Sequence, residues 1–278
     1  MNSCPICNSE SYFLFNSKHN KKIYNCSNQA CSHFFTPIIK INQGVCSRPE
    51  DIEAESNAFM LNYNERNEKL LKLFLNSIEK NHQNSKLNFL DYGAGNAHIS
   101  RTFKNKLNKN VNIYCLDKNP NCNVLYKKYD LIYIQSLDEI KEKVDLIYMV
   151  EVIEHFEDPV IELKKLSKIL KSDGKIFITT PVGTKKESET NAYDTISHLH
   201  FFTEKSLNLT LKKAGLLEIV EYKYYPELYP TTSMKGKIKN FIEYFLNFKF
   251  FEKKDTVLNK IGHLVGFSKL PNGTSSKN

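Results

Sequence analysis

Tryptophan is absent from this chain of 278 residues, and glycine and proline are scarce, at 10 and 9. Such scarcity excludes a collagen-like or low-complexity chain. It also makes each glycine that does occur informative, because a glycine commonly marks a backbone position no other residue tolerates. No apolar run approaches the roughly 20 residues a membrane-spanning helix needs. Met1 to Cys7 carries neither a basic stretch nor an apolar one of the secretory kind, so a cytoplasmic location is expected. What is there is ordinary for a globular chain: 41% hydrophobic and 25% charged residues, enough for one large domain and a small appendage. The net charge of +8 is spread over many lysines, with a concentration from Lys235 to Lys254. Basic charge distributed in this way keeps a surface soluble and does not by itself point to nucleic acid.

Five of the seven cysteines precede residue 50: Cys4, Cys7, Cys26, Cys31 and Cys46. Cys115 and Cys122 stand mid-chain without a close sequence partner. In a reducing compartment such residues are thiols or metal ligands rather than disulfides. Cys4-Pro5-Ile6-Cys7 and Cys26-Ser27-Asn28-Gln29-Ala30-Cys31 form two knuckles at a separation suited to a four-thiolate, tetrahedral zinc site. The second knuckle is wider than the usual two-residue gap, which leaves His33 and Cys46 as substitute ligands. A unit spanning 1–46 is too small to hold itself together by burial, so the zinc is expected to be structural.

Within that unit, strands are expected at Ser11–Phe15 and Lys22–Asn25, with a third run at Phe34–Ile41. A helical pattern covers Asp51–Asn81. Strands then follow at Leu87–Tyr92, Val111–Asp117, Leu131–Gln135, Val144–Val150 and Lys175–Thr179, alternating with helical stretches as in a parallel α/β sheet. Ser172-Asp173-Gly174 reads as the stop of a helix over Ile161–Leu170. A helix over Thr203–Ala214 ends at Gly215, strands follow at Leu216–Lys223 and Ile261–Lys269, and 271–278 reads as a disordered tail.

The strongest local signal is Leu90-Asp91-Tyr92-Gly93-Ala94-Gly95-Asn96, an apolar strand ending in a glycine turn that opens a helix. Such turns bring the backbone close to a ligand at the carboxyl end of the first strand. A dinucleotide fingerprint would place a third glycine where His98 stands. Asp91, two places before the first glycine, suits a ligand bearing an amino group. Asp117, 26 residues after Asp91, is placed to accept both hydroxyls of a ribose. These features favour S-adenosylmethionine (SAM) over NAD.

Four segments taken together resemble the class I SAM-dependent methyltransferases. Within these, they resemble the broad group related to the ubiquinone-biosynthesis O-methyltransferases and polysaccharide-cluster methyltransferases, some of which carry an N-terminal zinc ribbon. The segments are the glycine turn; Asp117; Val144-Asp145-Leu146-Ile147 running into Glu151-Val152-Ile153-Glu154-His155-Phe156-Glu157-Asp158-Pro159; and His198-Leu199-His200-Phe201-Phe202-Thr203. The resemblance implies a Rossmann-like, doubly wound, mostly parallel seven-stranded sheet over 47–270. It further implies that Asp91, Gly93 and Gly95 line the methionyl part of SAM, that Asp117 holds the ribose, and that Lys118, Ser136 and Leu137 border the adenine, with Glu151 also on the cofactor side. Ala94 and Asn96 depart from the commoner Cys and Thr or Ser.

For an oxygen acceptor a base is needed, and histidine suits it at neutral pH. His155 after the fourth strand and His198 after the fifth are the candidates, while His200 reads as structural. Tyr63 and Arg66, in the helix before the first strand, read as an exposed helix face, with reach toward the SAM carboxylate as the alternative, and the loop 181–197, with Tyr193 and Asp194, is expected to face the acceptor. The expected acceptor is a small molecule, a nucleotide sugar or glycan precursor. The alternatives are an RNA methyltransferase with a zinc-ribbon RNA-binding module, disfavoured because no Asn-Pro-Pro-Tyr-like motif follows the fourth strand, and a non-catalytic SAM- and zinc-binding partner protein. The aromatic, basic stretch 238–251 inside a helical insertion or lid at 234–260 offers a peripheral membrane contact or a homodimer interface.

Overall fold

The computed structural model describes residues 2–37, 49–77, 86–107, 111–186, 191–219, 223–225 and 263–271. The expected insertion at 234–260 with its 238–251 stretch, Cys46, the side chains of Tyr63 and Arg66, and 272–278 lie outside the described residues.

The N-terminal hairpin pairs β1 (Ser11–Asn16) with β2 (Lys22–Cys26), and β2 pairs in turn with the two-residue β3 (Phe34–Phe35). Helix α1 (Pro49–Ser77) leads into β4 (Leu87–Tyr92), α2 (His98–Leu107), β5 (Val111–Leu116), α3 (Asn123–Lys128) and β6 (Ile132–Tyr133). Then come β7 (Val144–Val150), α4 (Pro159–Ile169), β8 (Leu170–Pro181), β9 (His200–Phe201), α5 (Glu204–Lys213), β10 (Lys223–Tyr225) and β11 (His263–Lys269).

The larger sheet has the order β10-β11-β8-β7-β4-β5-β6. Its members from β8 to β6 pair in parallel, whereas β11 runs antiparallel between β8 and β10. Central strands of such sheets are covered on both faces, so they read as continuous apolar runs. Val144 to Met149 are accordingly all buried. The one charge among them, Asp145, accepts the Asn88 amide at 2.8 Å and the Lys171 ammonium at 2.7 Å. One face packs α1, α2 and α3 through Phe74, Phe103 and Leu125, with Phe89 and Phe177 from the sheet. The other packs α4 and α5 through Leu163, Leu166, Leu207 and Leu211, with Leu90 and Ile147.

Helix boundaries follow their caps. Asp158 accepts the Ile161 amide at 2.9 Å ahead of Pro159, and Thr203 with Ser206 forms the capping box of α5. Gly215 ends α5 at φ +80°.

Two expectations need correction. Ser172-Asp173-Gly174 is not a helix stop, because strand β8 already begins at Leu170. Val144 pairs with Leu170 and Leu146 with Lys175, and the register shifts between them. A Cβ on Gly174 would stand 3.0 Å from the Val144 carbonyl and 2.9 Å from Leu170, so this glycine permits a close approach inside an irregular strand. Likewise Leu216–Ile219 is not a strand. It is tied down by the Leu217 amide on the Lys269 carbonyl at 2.8 Å and by Asn208, which accepts the Ile219 amide at 2.8 Å.

A second sheet has the order β1-β2-β3-β9. Phe34 pairs with Phe201 and Phe35 with His200, so the N-terminal hairpin and a strand from the connection after β8 form one surface.

Candidate active site

The chain runs from β4 outward to β5 and β6, then returns to place β7 on the other side of β4. This reversal opens a crevice at the carboxyl ends of β4 and β7, where ligands of open α/β sheets bind. The glycine turn leaves β4 there. Gly93 lies at φ +80° and Gly95 at φ +48°. A Cβ on Gly93 would come within 2.5 Å of Val152, whereas a Cβ on Gly95 would meet nothing within 4 Å. The first glycine is therefore required by packing, and the second borders open space.

Asp117, just past β5, fastens this turn. Its Oδ2 accepts the Gly95 amide at 2.7 Å and its Oδ1 the Asn119 amide at 2.8 Å, leaving a lone pair on each oxygen for further donors. Tyr126 of α3 donates to the Gly95 carbonyl at 2.8 Å from below. Asp91 is buried under the turn, where Ser100 of α2 donates to its Oδ2 at 2.6 Å and Tyr148 lies 2.7 Å from Ser100. Burial pushes the Asp91 carboxyl up to about 7. Lys118 and Ser136 are exposed and Leu137 half-buried at the ends of β5 and β6. The Ser136 hydroxyl is engaged as a cap, accepting the Asp138 amide at 3.1 Å.

The loop after β7 carries acidic groups and an imidazole. Glu151, at φ +60°, accepts the Thr179 hydroxyl at 2.7 Å. Glu154 is fully buried, its Oε2 accepting from Thr180 at 3.1 Å while Oε1 has no hydrogen-bond partner. Burial, then the charge of Glu151, holds its carboxyl well above the usual carboxylate range. The segment after β8 meets this loop, placing the His198 Nε2 3.9 Å from Glu154 Oε1. The rings of His155 and His198 are edge to face at 4.7 Å. One ligand atom from each of Glu154, His155 and His198 lies within 4.8 Å of the others. His155 Nδ1 is 3.0 Å from the Ser197 carbonyl, so it carries the proton there and Nε2 is left as the basic nitrogen. Burial lowers the His155 pKa, opposed by the Ser197 carbonyl and Glu151 and assisted by Lys118 and Lys21.

A family model described as a methyltransferase domain matches residues 62–221, more than half of the chain. The match takes in the glycine turn, Asp117, Glu154, His155 and His198. The chain belongs to the methyltransferase domain family. No curated protein matches it. Among solved structures, a chain from the complex of the Haloferax volcanii Trm112 methyltransferase activator with a methyltransferase is similar at 15% identity and TM-score 0.53, over 82% of this chain and 98% of that one. A structure described as a sarcosine dimethylglycine methyltransferase from Galdieria sulphuraria is similar at 18% identity and TM-score 0.52, over 73% and 84%. The plantazolicin methyltransferase BamL is similar at 14% identity and TM-score 0.50, over 79% and 89%. At these identities the likeness bears on the fold.

In this methyltransferase the matched region leaves the N-terminal unit outside. There Cys4, Cys7, Cys26 and Cys31 bring their sulfurs together, with Cys7 and Cys26 3.3 Å apart and Cys4 and Cys31 3.9 Å apart. Sulfurs around a tetrahedral zinc with bonds of about 2.3 Å sit roughly 3.8 Å apart, so this donor set fits the ion. The Cys31 thiol pulls Cys4 down to about 5 while burial pushes Cys26 up to about 12. Such packed sulfurs share negative charge poorly until a cation lies between them. His33 is not in this cluster but bonds His200, Nε2 to Nδ1 at 3.0 Å, and His200 Nε2 reaches the Phe156 carbonyl at 2.9 Å. Burial pushes His200 down to about 4. The orphaned oxygen of Glu154, the Ser100–Tyr148 floor and the contacts of Lys21 with the His198 segment were not foreseen from sequence. Their partners lie far along the chain, 177 positions in the case of Lys21 and His198, and no local motif signals them.

Proposed function

We propose that this methyltransferase moves a methyl group from SAM to a small polar acceptor, a hydroxyl of a sugar or cell-surface polysaccharide precursor, with His155 as the base and His198 beside it. The observation that carries this reading is that the glycine turn and the Glu154–His155–His198 trio open on the same carboxyl edge of the sheet. Gly93 and Gly95 would line the methionyl part and Asp117 the ribose, with Lys118, Ser136 and Leu137 around the adenine and Glu151 on the sulfonium side. Asp91 supports the turn from beneath, poised to compensate the amino group. When bound, SAM supplies the electrophilic methyl. His155 Nε2 takes the acceptor proton, with the His198 ring packed edge to face beside it. Alignment of acceptor and methyl carbon supplies much of the remaining rate. The four cysteines hold a structural zinc.

The same trio favours a second reading, in which Glu154, His155 and His198 bind a divalent cation that orients the acceptor oxygen. The two readings part on added magnesium or manganese with the zinc left in place, which leaves a histidine base working as before and is required for cation-assisted transfer. The deciding experiment for the cofactor is calorimetric titration of the wild type and Asp117→Ala with SAM, S-adenosylhomocysteine (SAH) and NAD. Micromolar binding of SAM or SAH, about −8 kcal/mol, lost in the variant, is expected. Absence of SAM and SAH binding, or a preference for NAD, would overturn the proposal.

A further inference from the structure

Lys21, in the turn before β2, is a lysine that is 4% exposed. Long cationic side chains ordinarily keep their charge in water, and withdrawing one is unfavourable unless it is compensated. Its ammonium donates to the Thr195 carbonyl at 2.8 Å and to the His198 carbonyl at 2.7 Å, and it lies 5.3 Å from the centre of the Phe201 ring. Burial lowers its pKa to about 8, with Asp194 acting in the opposite sense.

The same segment is gripped at further points by the N-terminal unit. Lys18 pairs with Asp194 at 3.2 Å, the Thr36 amide donates to the Leu199 carbonyl at 3.0 Å, and β3 pairs with β9. On the other side, the Leu199 amide donates to the Glu154 carbonyl at 2.8 Å. The backbone that carries the His198 ring is thus held between the N-terminal hairpin and the loop of Glu154 and His155. Contacts continue to the thiolate cluster, where Thr203 donates to the Cys31 carbonyl at 3.3 Å and Lys205 to the Gln29 carbonyl at 3.0 Å.

We propose that the N-terminal unit is a wall of the acceptor site and that Lys21 is a positioning residue, its ammonium clamping the Thr195 and His198 carbonyls so that the His198 ring is held against Glu154 and His155. A cation suits this place because two carbonyl oxygens converge on one buried point, and an apolar side chain there would withdraw a charged donor from both, the Thr195 carbonyl keeping the His198 amide at 3.2 Å. That the clamped segment is the acceptor side rests on the methyl-transfer reading; the clamp itself does not.

The test is hydrogen exchange by mass spectrometry on the full chain with SAH present, comparing wild type, Lys21→Met and Lys21→Arg, with SAH affinity measured on the same preparations. Lys21→Met is expected to speed exchange of the amides from Thr195 to Thr203 by about tenfold or more, as losing charge-assisted bonds implies, leaving β4 and β5 unchanged and SAH affinity within about twofold. Lys21→Arg, which keeps the charge and the donors, is expected to restore most of the protection. Unchanged exchange in Lys21→Met, or no rescue by Arg, overturns the clamp. Should Lys21→Met fail to fold, amine labelling of the wild type decides instead. Lys21 must then react at least about tenfold more slowly than the exposed Lys22 beside it, and equal labelling overturns the proposal. Loss of SAH binding by the wild type would sink the methyl-transfer reading while the exchange result still judged the clamp.

Discussion

The two glycines of the β4 turn should separate cleanly on substitution by alanine, because their surroundings differ while their backbones are alike. Both have positive φ, so each alanine costs about 1–2 kcal/mol from its Cβ in the left-handed region. At Gly93 the added Cβ also meets Val152 at 2.5 Å and 3.0 Å, and forcing such contacts apart costs a further 1–3 kcal/mol or so. Gly93→Ala should therefore lose about 2–5 kcal/mol, a fall in Tm of at least roughly 4 °C for a domain of this size. Gly95→Ala meets nothing within 4 Å and should lose only about 1–2 kcal/mol. Its methyl enters the space where the cofactor would pass, however, so SAH affinity should drop by about tenfold or more, about 1.4 kcal/mol. Thermal unfolding and calorimetry on the two variants measure both quantities. A Gly95→Ala protein that binds SAH within about threefold of wild type would refute the claim that ligand crosses this glycine. A Gly93→Ala protein as stable as Gly95→Ala would refute the packing argument.

Other expectations follow from the same geometry. Burial raises the Asp91 carboxyl from 3.8 to about 7, so in the absence of ligand its contribution to stability is full below about pH 4 and is lost as pH rises through about 7; comparing Asp91→Asn with wild type in thermal melts from pH 4 to 8 should show that slope vanish, and parallel pH curves would contradict it. Metal analysis should find one zinc per chain, and Cys7→Ser, which removes one ligand of the cluster, should lose most of it and lower Tm; full zinc occupancy in the variant would remove Cys7 from the ligand set. With radiolabelled SAM and an accepted substrate, His155→Ala should reduce kcat by about 10²–10⁴, the usual weight of general-base catalysis, with SAH affinity unchanged; an unaltered kcat would dismiss His155 as base.

Several features are legible in the sequence because their signals are local. Leu87–Tyr92 and Val144–Val150 are apolar enough to be interior parallel strands, and a glycine turn after the first of them has few alternatives. Thr203 and Ser206 cap α5 within four residues of one another. Ser172-Asp173-Gly174 misled because a glycine near a helix end resembles a stop, and only the pairing of Val144 with Leu170 reveals that the strand has already begun. The strand expected over Leu216–Lys223 does not hold over Leu216–Ile219 for the same reason, since alternation alone cannot show that Asn208 and Lys269 take up the backbone groups of Ile219 and Leu217.

The alternating α/β order, the glycine turn with Asp117 behind it, and the two cysteine knuckles are legible in the residues alone, since each depends on residues close in the chain or on a strict spacing. It takes the folded chain to show that β3 joins β9 in one sheet, that Glu154 is buried with an oxygen lacking a hydrogen-bond partner beside His155 and His198, and that Lys21 reaches the His198 backbone. Those arrangements join residues far apart in the chain, and burial and electrostatics act through space, so neither composition nor periodicity carries their trace.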